Sequence, residues 1–204
     1  FFIGLIVALS MIDVNIGPFV AAIGAVGFIV VFALQGTLSN FASGILMMIF
    51  RPFDVDDFVS VAGASGTVQS MNLLSTQLRT PDNKLVVVAN NAVWGDVITN
   101  VTGKHQRRVD LVFGIGYDDD IRKAKEIITR VMEADDRILK DPAPAVAMAE
   151  LADSSVNFNV RPWVNSGDYW PVRADLLEKV KLAFDANGIS IPYPQRDVYI
   201  HNAA

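Results

Sequence analysis

A long charge-free run stands near the start of the chain. Between Val14 and Phe50 there is no Asp, Glu, Lys, Arg or His. One helix over that run would be about 55 Å long, against a bilayer hydrocarbon core of about 30 Å, so it must break or leave the membrane. Gln35-Gly36 is the natural place for a break, because a polar side chain there meets a residue that relaxes the backbone. The pattern thus predicts an upper helix over 16–35 and a lower one over 37–50. In the lower segment Leu38, Phe41, Ala42, Ile45, Met48 and Ile49 recur at helical spacing, while Thr37, Asn40, Ser43 and Gly44 gather elsewhere. That is the pattern of an amphipathic helix lying along an interface or against a domain.

Residues 1–12 are apolar for only about 18 Å of helix, too short to span a bilayer. They read as the end of an earlier transmembrane helix. A secretory signal would need a basic start and a small-residue cleavage site, and Asp13 stands where that site would fall.

After Arg51 the pattern changes. Phe58-Val59-Ser60-Val61, the run from Thr67 to Leu78, and Leu85-Val86-Val87-Val88 are β-rich. They are separated by Gly63-Ala64-Ser65-Gly66 and Pro81-Asp82-Asn83-Lys84, so a small barrel or compact sheet of about five strands is expected over 51–104. A second domain over 105–190 reads as strand (Val109–Ile115), helix, two strands (Ala145–Leu151 and Val156–Val164) and a helix from Trp170 to Asn187. Asp118-Asp119-Asp120 opens the first of these helices and Gly188 stops the second. That order suggests an α+β sandwich. Pro192 and Pro194 detach a last piece, 191–204, in which Val198–His201 reads as a strand that pairs with other chains.

Charge then sharpens the picture. All 17 Lys and Arg residues lie at or after Arg51, which by the positive-inside tendency places the C-terminal part in the cytoplasm. The net charge of -5 argues against nucleic acid as a partner, leaving a membrane-tethered nucleic-acid-binding module as the out-of-class alternative. With no cysteine there is no disulfide, thiolate catalysis or Cys-based zinc site. His105 and His201 lack ligand spacing and read as surface residues; Asp118-Asp119-Asp120 has the spacing of a helix cap, not of a metal site. No enzyme, metal or cofactor is expected.

The candidate functional residues lie on the upper helix. At about 100° per residue, Gly17, Ala21, Ala25, Phe28, Phe32 and Gln35 share a stripe, with Gly24 at its edge and Gly27 and Val31 to the side. Small residues let membrane helices approach closely, so the helix packs against copies or neighbours. A small-residue stripe ending in two phenylalanines one turn apart suits the lining of a tube that narrows at one end. Phe28 and Phe32 facing lipid or a partner helix is the competing reading.

The run Phe32-Ala33-Leu34-Gln35-Gly36-Thr37-Leu38-Ser39-Asn40-Phe41-Ala42-Ser43-Gly44, followed by Arg51-Pro52-Phe53, resembles the pore helix and exit of bacterial mechanosensitive channels of small conductance. The similarity continues through Gly66-Thr67-Val68, Leu78-Arg79-Thr80, Asp135-Asp136-Arg137-Ile138-Leu139-Lys140-Asp141, Asn165-Ser166-Gly167-Asp168 and Ile191-Pro192-Tyr193-Pro194-Gln195. The resemblance implies a multi-pass homoheptamer in the bacterial inner membrane, with this chain lacking the first transmembrane helix and most of the second. It implies an α-helical pore segment, a cytoplasmic β domain of the Sm-like small-barrel type, a ferredoxin-like α+β domain and a C-terminal strand in an intersubunit β-barrel. Tension would open the channel and release ions and small osmolytes on hypoosmotic shock, with amino-acid or osmolyte export as the alternative specialisation. Carried over by position, Phe28 and Phe32 are the apolar gate rings and Gly36 the kink. Gly44 is a second flexible point, Gly24, Gly27 and Val31 pack helix on helix, and Asn40 meets the β domain near Asn91. Phenylalanine stands at the gate where other members carry leucine, and Ile29 and Val31 where they carry small residues.

Overall fold

The computed structural model describes residues 15–199, which fall into two compact units that divide between Gly103 and Lys104. The first begins with helix α1, Gly17–Phe50, 34 residues long and about 51 Å from end to end. Asn15 starts it, its side-chain oxygen accepting the Gly17 amide at 3.0 Å, and Pro18 fits the first turn, where its missing N–H leaves nothing unpaired. Arg51 ends it in the left-handed region (φ 45°), and Pro52 prevents resumption. The helix runs through Gln35-Gly36 without interruption, so the expected break into two helices is absent. A glycine costs a helix interior only about 1 kcal/mol, and the Asn40 side-chain amide donates to the Gly36 carbonyl at 3.0 Å, tying that turn together.

Five antiparallel strands follow: β1 (Phe58–Val61), β2 (Ala64–Met71), β3 (Ser75–Arg79), β4 (Leu85–Ala89) and β5 (Thr99–Asn100), in the order β4-β3-β2-β1-β5. The run expected from Thr67 to Leu78 is thus two strands around a turn at 72–74. A short helix, α2 (Asn90–Trp94), separates β4 from β5. Val59, Val61, Val68 and Leu78 face inward on alternate positions and close a core with Val93 of α2, Phe53 and, from the end of α1, Met47. Asp57 holds the crossing from helix to sheet. It accepts the Asp54 amide (2.8 Å), the Asn100 amide group (2.8 Å) and the Thr102 hydroxyl (3.1 Å). These donors, the Asp54 amide foremost, keep its carboxyl below the usual range.

In the second unit β6 (Gln106–Arg108) pairs with β10 (Trp163–Asn165), while β7 (Leu111–Ile115), β9 (Val156–Arg161) and β8 (Ala145–Leu151) form a sheet in the order β7-β9-β8. Pro162 divides the single strand expected over 156–164 into β9 and β10. Helix α3 (Ile121–Glu133) crosses from β7 to β8, and α4 (Tyr169–Asn187) follows β10. The order is that of three strands of a ferredoxin-like sandwich. Leu111, Phe113, Ile115, Val156, Phe158 and Val160 form the inner face under Ile127, Ile128 and Met132 of α3 and Val172, Leu176, Val180 and Phe184 of α4.

Local signals placed these helices. Asp120 caps α3, accepting the amides of Arg122 (2.8 Å) and Lys123 (3.2 Å), and left-handed Gly188 (φ 69°) closes α4 with Ile189 N–H bonded to Phe184 O. Asp135, almost fully buried, is paired by Arg137 through two bonds (2.8 and 2.6 Å) and by Lys179 at 3.2 Å; Arg137 reaches on to Asp175 at 2.5 Å. The Arg137 guanidinium holds the Asp135 carboxyl far below the ordinary carboxylate range. Residues 190–199 carry no helix or strand, so the expected strand at Val198–His201 is not formed at Val198 and Tyr199, and Ile200 and His201 lie outside the described residues. The end of an earlier helix expected over 1–12 lies outside them as well.

Candidate functional site

Helix α1 divides by environment. From Gly17 to Ser39 every residue is exposed, and nothing else in the described chain covers them. An apolar surface of this size in water would be a large penalty, so it marks a face that meets lipid or further protein. It is the one described helix long and apolar enough to cross a membrane. Gly17, Ala21, Ala25 and Gln35 lie along it with Phe28 and Phe32. The two phenyl rings meet edge to face, centroids 4.6 Å apart, and remain 66% and 59% exposed. A Cβ built on Gly24, Gly27 or Gly36 would touch nothing within 4 Å, and Val31 is 65% exposed, so no packing partner for these residues lies among the described residues.

The lower third is held. Ser43, Gly44 and Met47 are buried and Asn40 half-buried, whereas Leu38, Phe41, Ile45, Met48 and Ile49 on the opposite face are exposed. The amphipathic helix therefore meets its own β domain through its small and polar side and leaves the apolar side uncovered, the reverse of a helix on a soluble core. Gly44 explains the inversion. A Cβ there would lie 2.4 Å from the Leu73 carbonyl oxygen and 2.6 Å from Asn90 Nδ2. Glycine is thus required at this position for close approach, and the backbone there is regular helix in this conformation.

Asn40 is the second contact. Its Oδ1 accepts the Asn91 amide at 2.9 Å while its Nδ2 donates to Gly36 O at 3.0 Å. Asn91 lies in the first turn of α2, which has no side-chain cap of its own, so Asn40 satisfies a free amide of another helix. The Asn40 to Asn91 pair expected from the sequence is thus brought together, through the Asn91 backbone and not its side chain. Sequence reasoning missed Asn90. Fully buried, it accepts from Thr76 Oγ1 (3.0 Å) and donates to Asn72 O (2.8 Å), fixing the 72–74 turn on which Gly44 rests. The clue was an asparagine ending the apolar run of β4 one residue before the partner proposed for Asn40. Met47 and Phe53, each 1% exposed, enter the β-domain core, and Phe50 stacks on Trp94 at 5.8 Å. This join cannot slide without emptying core sites.

A charge-free exposed helix joined in this way to a five-stranded domain, and followed by an α+β unit, is also what the comparisons with known proteins return. Residues 36–103 match the family described as mechanosensitive ion channel, beta-domain, and residues 109–191 that described as mechanosensitive ion channel MscS, C-terminal. The chain is 34% identical over 198 residues to the small-conductance mechanosensitive channel of Helicobacter pylori, covering 97% of this chain and 72% of that one. The chain belongs to the MscS family.

The crystal structure of Helicobacter pylori MscS in its closed state superposes with a TM-score of 0.91, covering 99% of this chain and 80% of that chain at 34% identity. The small-conductance mechanosensitive channel of Edwardsiella ictaluri is 45% identical over 179 residues, 88% of this chain. The chain spans 63% of that relative's length. The MscS fold is therefore present here as a membrane-type helix, a β domain and an α+β domain. The family is one of ion channels. Among the described residues no group of three or more His, Cys, Asp or Glu could hold a metal, and His105 is exposed; His201 lies outside them.

Proposed function

We propose that the chain is the pore-lining and cytoplasmic part of a mechanosensitive channel that membrane tension opens, releasing ions and small osmolytes. The observation that carries this reading is the division of α1 into an upper part with no partner among the described residues and a lower part locked to the β domain through Gly44, Asn40 and Met47. At about 51 Å the helix exceeds the hydrocarbon core by about 20 Å, close to the length of the part that packs on the β domain. It leaves the membrane instead of ending in it.

In a homo-oligomer, seven copies by family resemblance, the stripe Gly17, Ala21, Ala25, Phe28, Phe32 and Gln35 lines the pore, and Gly24, Gly27 and Val31 pack one pore helix on the next. Phe28 and Phe32 form two stacked rings. A narrow apolar constriction closes by losing water, with no lid required. Tension favours the state with the larger area in the membrane plane, as any effector shifts a population through its different coupling to two states. Gly36 is the point where α1 bends between those states: it lies one turn above Asn40, beyond the last contact with the β domain. The protein sits in the bacterial inner membrane, with residues beyond Arg51 in the cytoplasm and the C-terminal segment joining other copies. It carries no cofactor.

The test is recording from the full-length protein in patches of pure lipid. Opening under suction alone supports the reading; silence at tensions that rupture the patch contradicts it. Efflux of a labelled amino acid from the same vesicles, in excess of its share by size, would identify the export specialisation. The net charge of -5 argues against nucleic acid as a partner.

A further inference from the structure

Of the acidic run Asp118-Asp119-Asp120, Asp120 alone caps α3. Asp119 instead holds the chain just past α4. Its Oδ2 accepts three donors: the Ser190 hydroxyl at 2.7 Å, the Ser190 amide at 2.9 Å and the Gly116 amide at 3.0 Å. The Gly116 amide is shared with the Ser190 carbonyl at 3.2 Å, and a Cβ on Gly116 would lie 2.6 Å from Ser190 Oγ. Burial pushes the Asp119 carboxyl up, but these donors outweigh it and leave the group below the usual carboxylate range.

Ser190 is where the chain leaves the core. Ile189 before it is buried, and every residue after it through Tyr199 is exposed or half-exposed. Five residues on, the Gln195 amide donates to Ser154 Oγ at 3.0 Å, on the turn between β8 and β9. Tyr117, two residues before Asp119, donates its hydroxyl to Ala152 O at 2.6 Å and ties that turn to the same loop. Between the two clasps run Ile191-Pro192-Tyr193-Pro194, whose prolines offer no N–H and fix φ. With no sheet pairing in this segment, the two clasps supply its hydrogen bonds to the rest of the unit.

We propose that Asp119 is a positioning residue for the C-terminal segment: its carboxylate fastens Ser190 against Gly116 and, with Ser154 holding Gln195, aims residues 191–199 along a fixed path from the α+β unit. The inference does not rest on the channel reading, since it holds whatever the segment goes on to join.

Arg196 lies one residue past the second clasp and supplies the probe. Tryptic cleavage there on the full-length folded protein reads how often the strap opens, because cutting follows the population of the open form. Asp119→Ala removes the acceptor of three bonds and should speed cleavage at Arg196 roughly ten-fold, with cleavage at exposed Arg130 of α3 and the thermal midpoint unchanged. Asp119→Asn, which keeps an oxygen acceptor, should restore most of the protection, whereas Asp119→Leu, which fills the space with no acceptor, should not. Should Asp119→Ala fail to fold, Ser190→Ala removes one bond and should give roughly three-fold faster cleavage. Wild-type rates at Arg196 in whichever of these variants folds, or equal acceleration at Arg130, would overturn the proposal.

Discussion

The upper and lower parts of α1 are built from the same kinds of residue, in one uninterrupted helix, yet they meet opposite surroundings. Gly24 and Gly27 face open space, whereas Gly44 sits against the Leu73 carbonyl with no room for a methyl group. Phe28 and Phe32 are exposed, while Met47, no more apolar, is 1% exposed in a core. Composition does not separate the two regions; neighbours do. Glycine has one meaning where a membrane helix awaits another helix and a different one where a backbone already rests on it.

Substitutions that respect or ignore that boundary test it. Met47→Ala should cost the first unit about 3 kcal/mol in denaturant unfolding, as a buried large side chain leaves a cavity. Gly44→Ala comes next, at about 2 kcal/mol, because the helix must lift from the 72–74 turn to admit the new carbon. Gly24→Ala and Gly27→Ala should leave that unfolding curve in place; a loss equal to that of Gly44→Ala would erase the distinction between the two parts. Asn40→Ala should cost about 1 kcal/mol and speed hydrogen exchange at the Asn91 amide, whose acceptor it removes. Smallest is the response to acid at the join. Asp57 has a depressed folded-state pKa, so the stability it adds is complete above the unfolded value, near pH 4, and fades as pH falls below it. Asp57→Asn should flatten that acid limb for the first unit, while the Asp135 and Arg137 pair still governs the second.

Features with local causes could be read from the chain itself. Asp120 capping α3, Gly188 ending α4 and Pro52 stopping α1 each act on amides or carbonyls a few residues away. The alternation of Val59, Val61, Val68 and Leu78 marked the β core for the same reason. The missed features depend on distant partners. Gly44 could be assigned only with Leu73 and Asn90 in place, and which face of the lower helix meets the domain was open because nothing nearby announces a carbonyl that fits it. Gln35-Gly36 carried the signal of a break, but Asn40 braces that turn from below, and a helix end is decided by the alternatives open to the backbone, not by one weak residue. Strands β6 and β10, three residues each, are too short for periodicity to show. The stripe through Phe28 and Phe32 could be listed but not oriented, since nothing among the described residues faces it.

Phe28 and Phe32 carry the proposed gate. The most direct measurement is the opening tension of the full-length channel in pure-lipid patches, with each phenylalanine replaced in turn by serine. A hydroxyl in the constriction keeps water in the closed pore, so Phe28→Ser and Phe32→Ser should both open at lower tension than wild type. Unchanged thresholds in both variants would contradict the assignment of this pair as the gate.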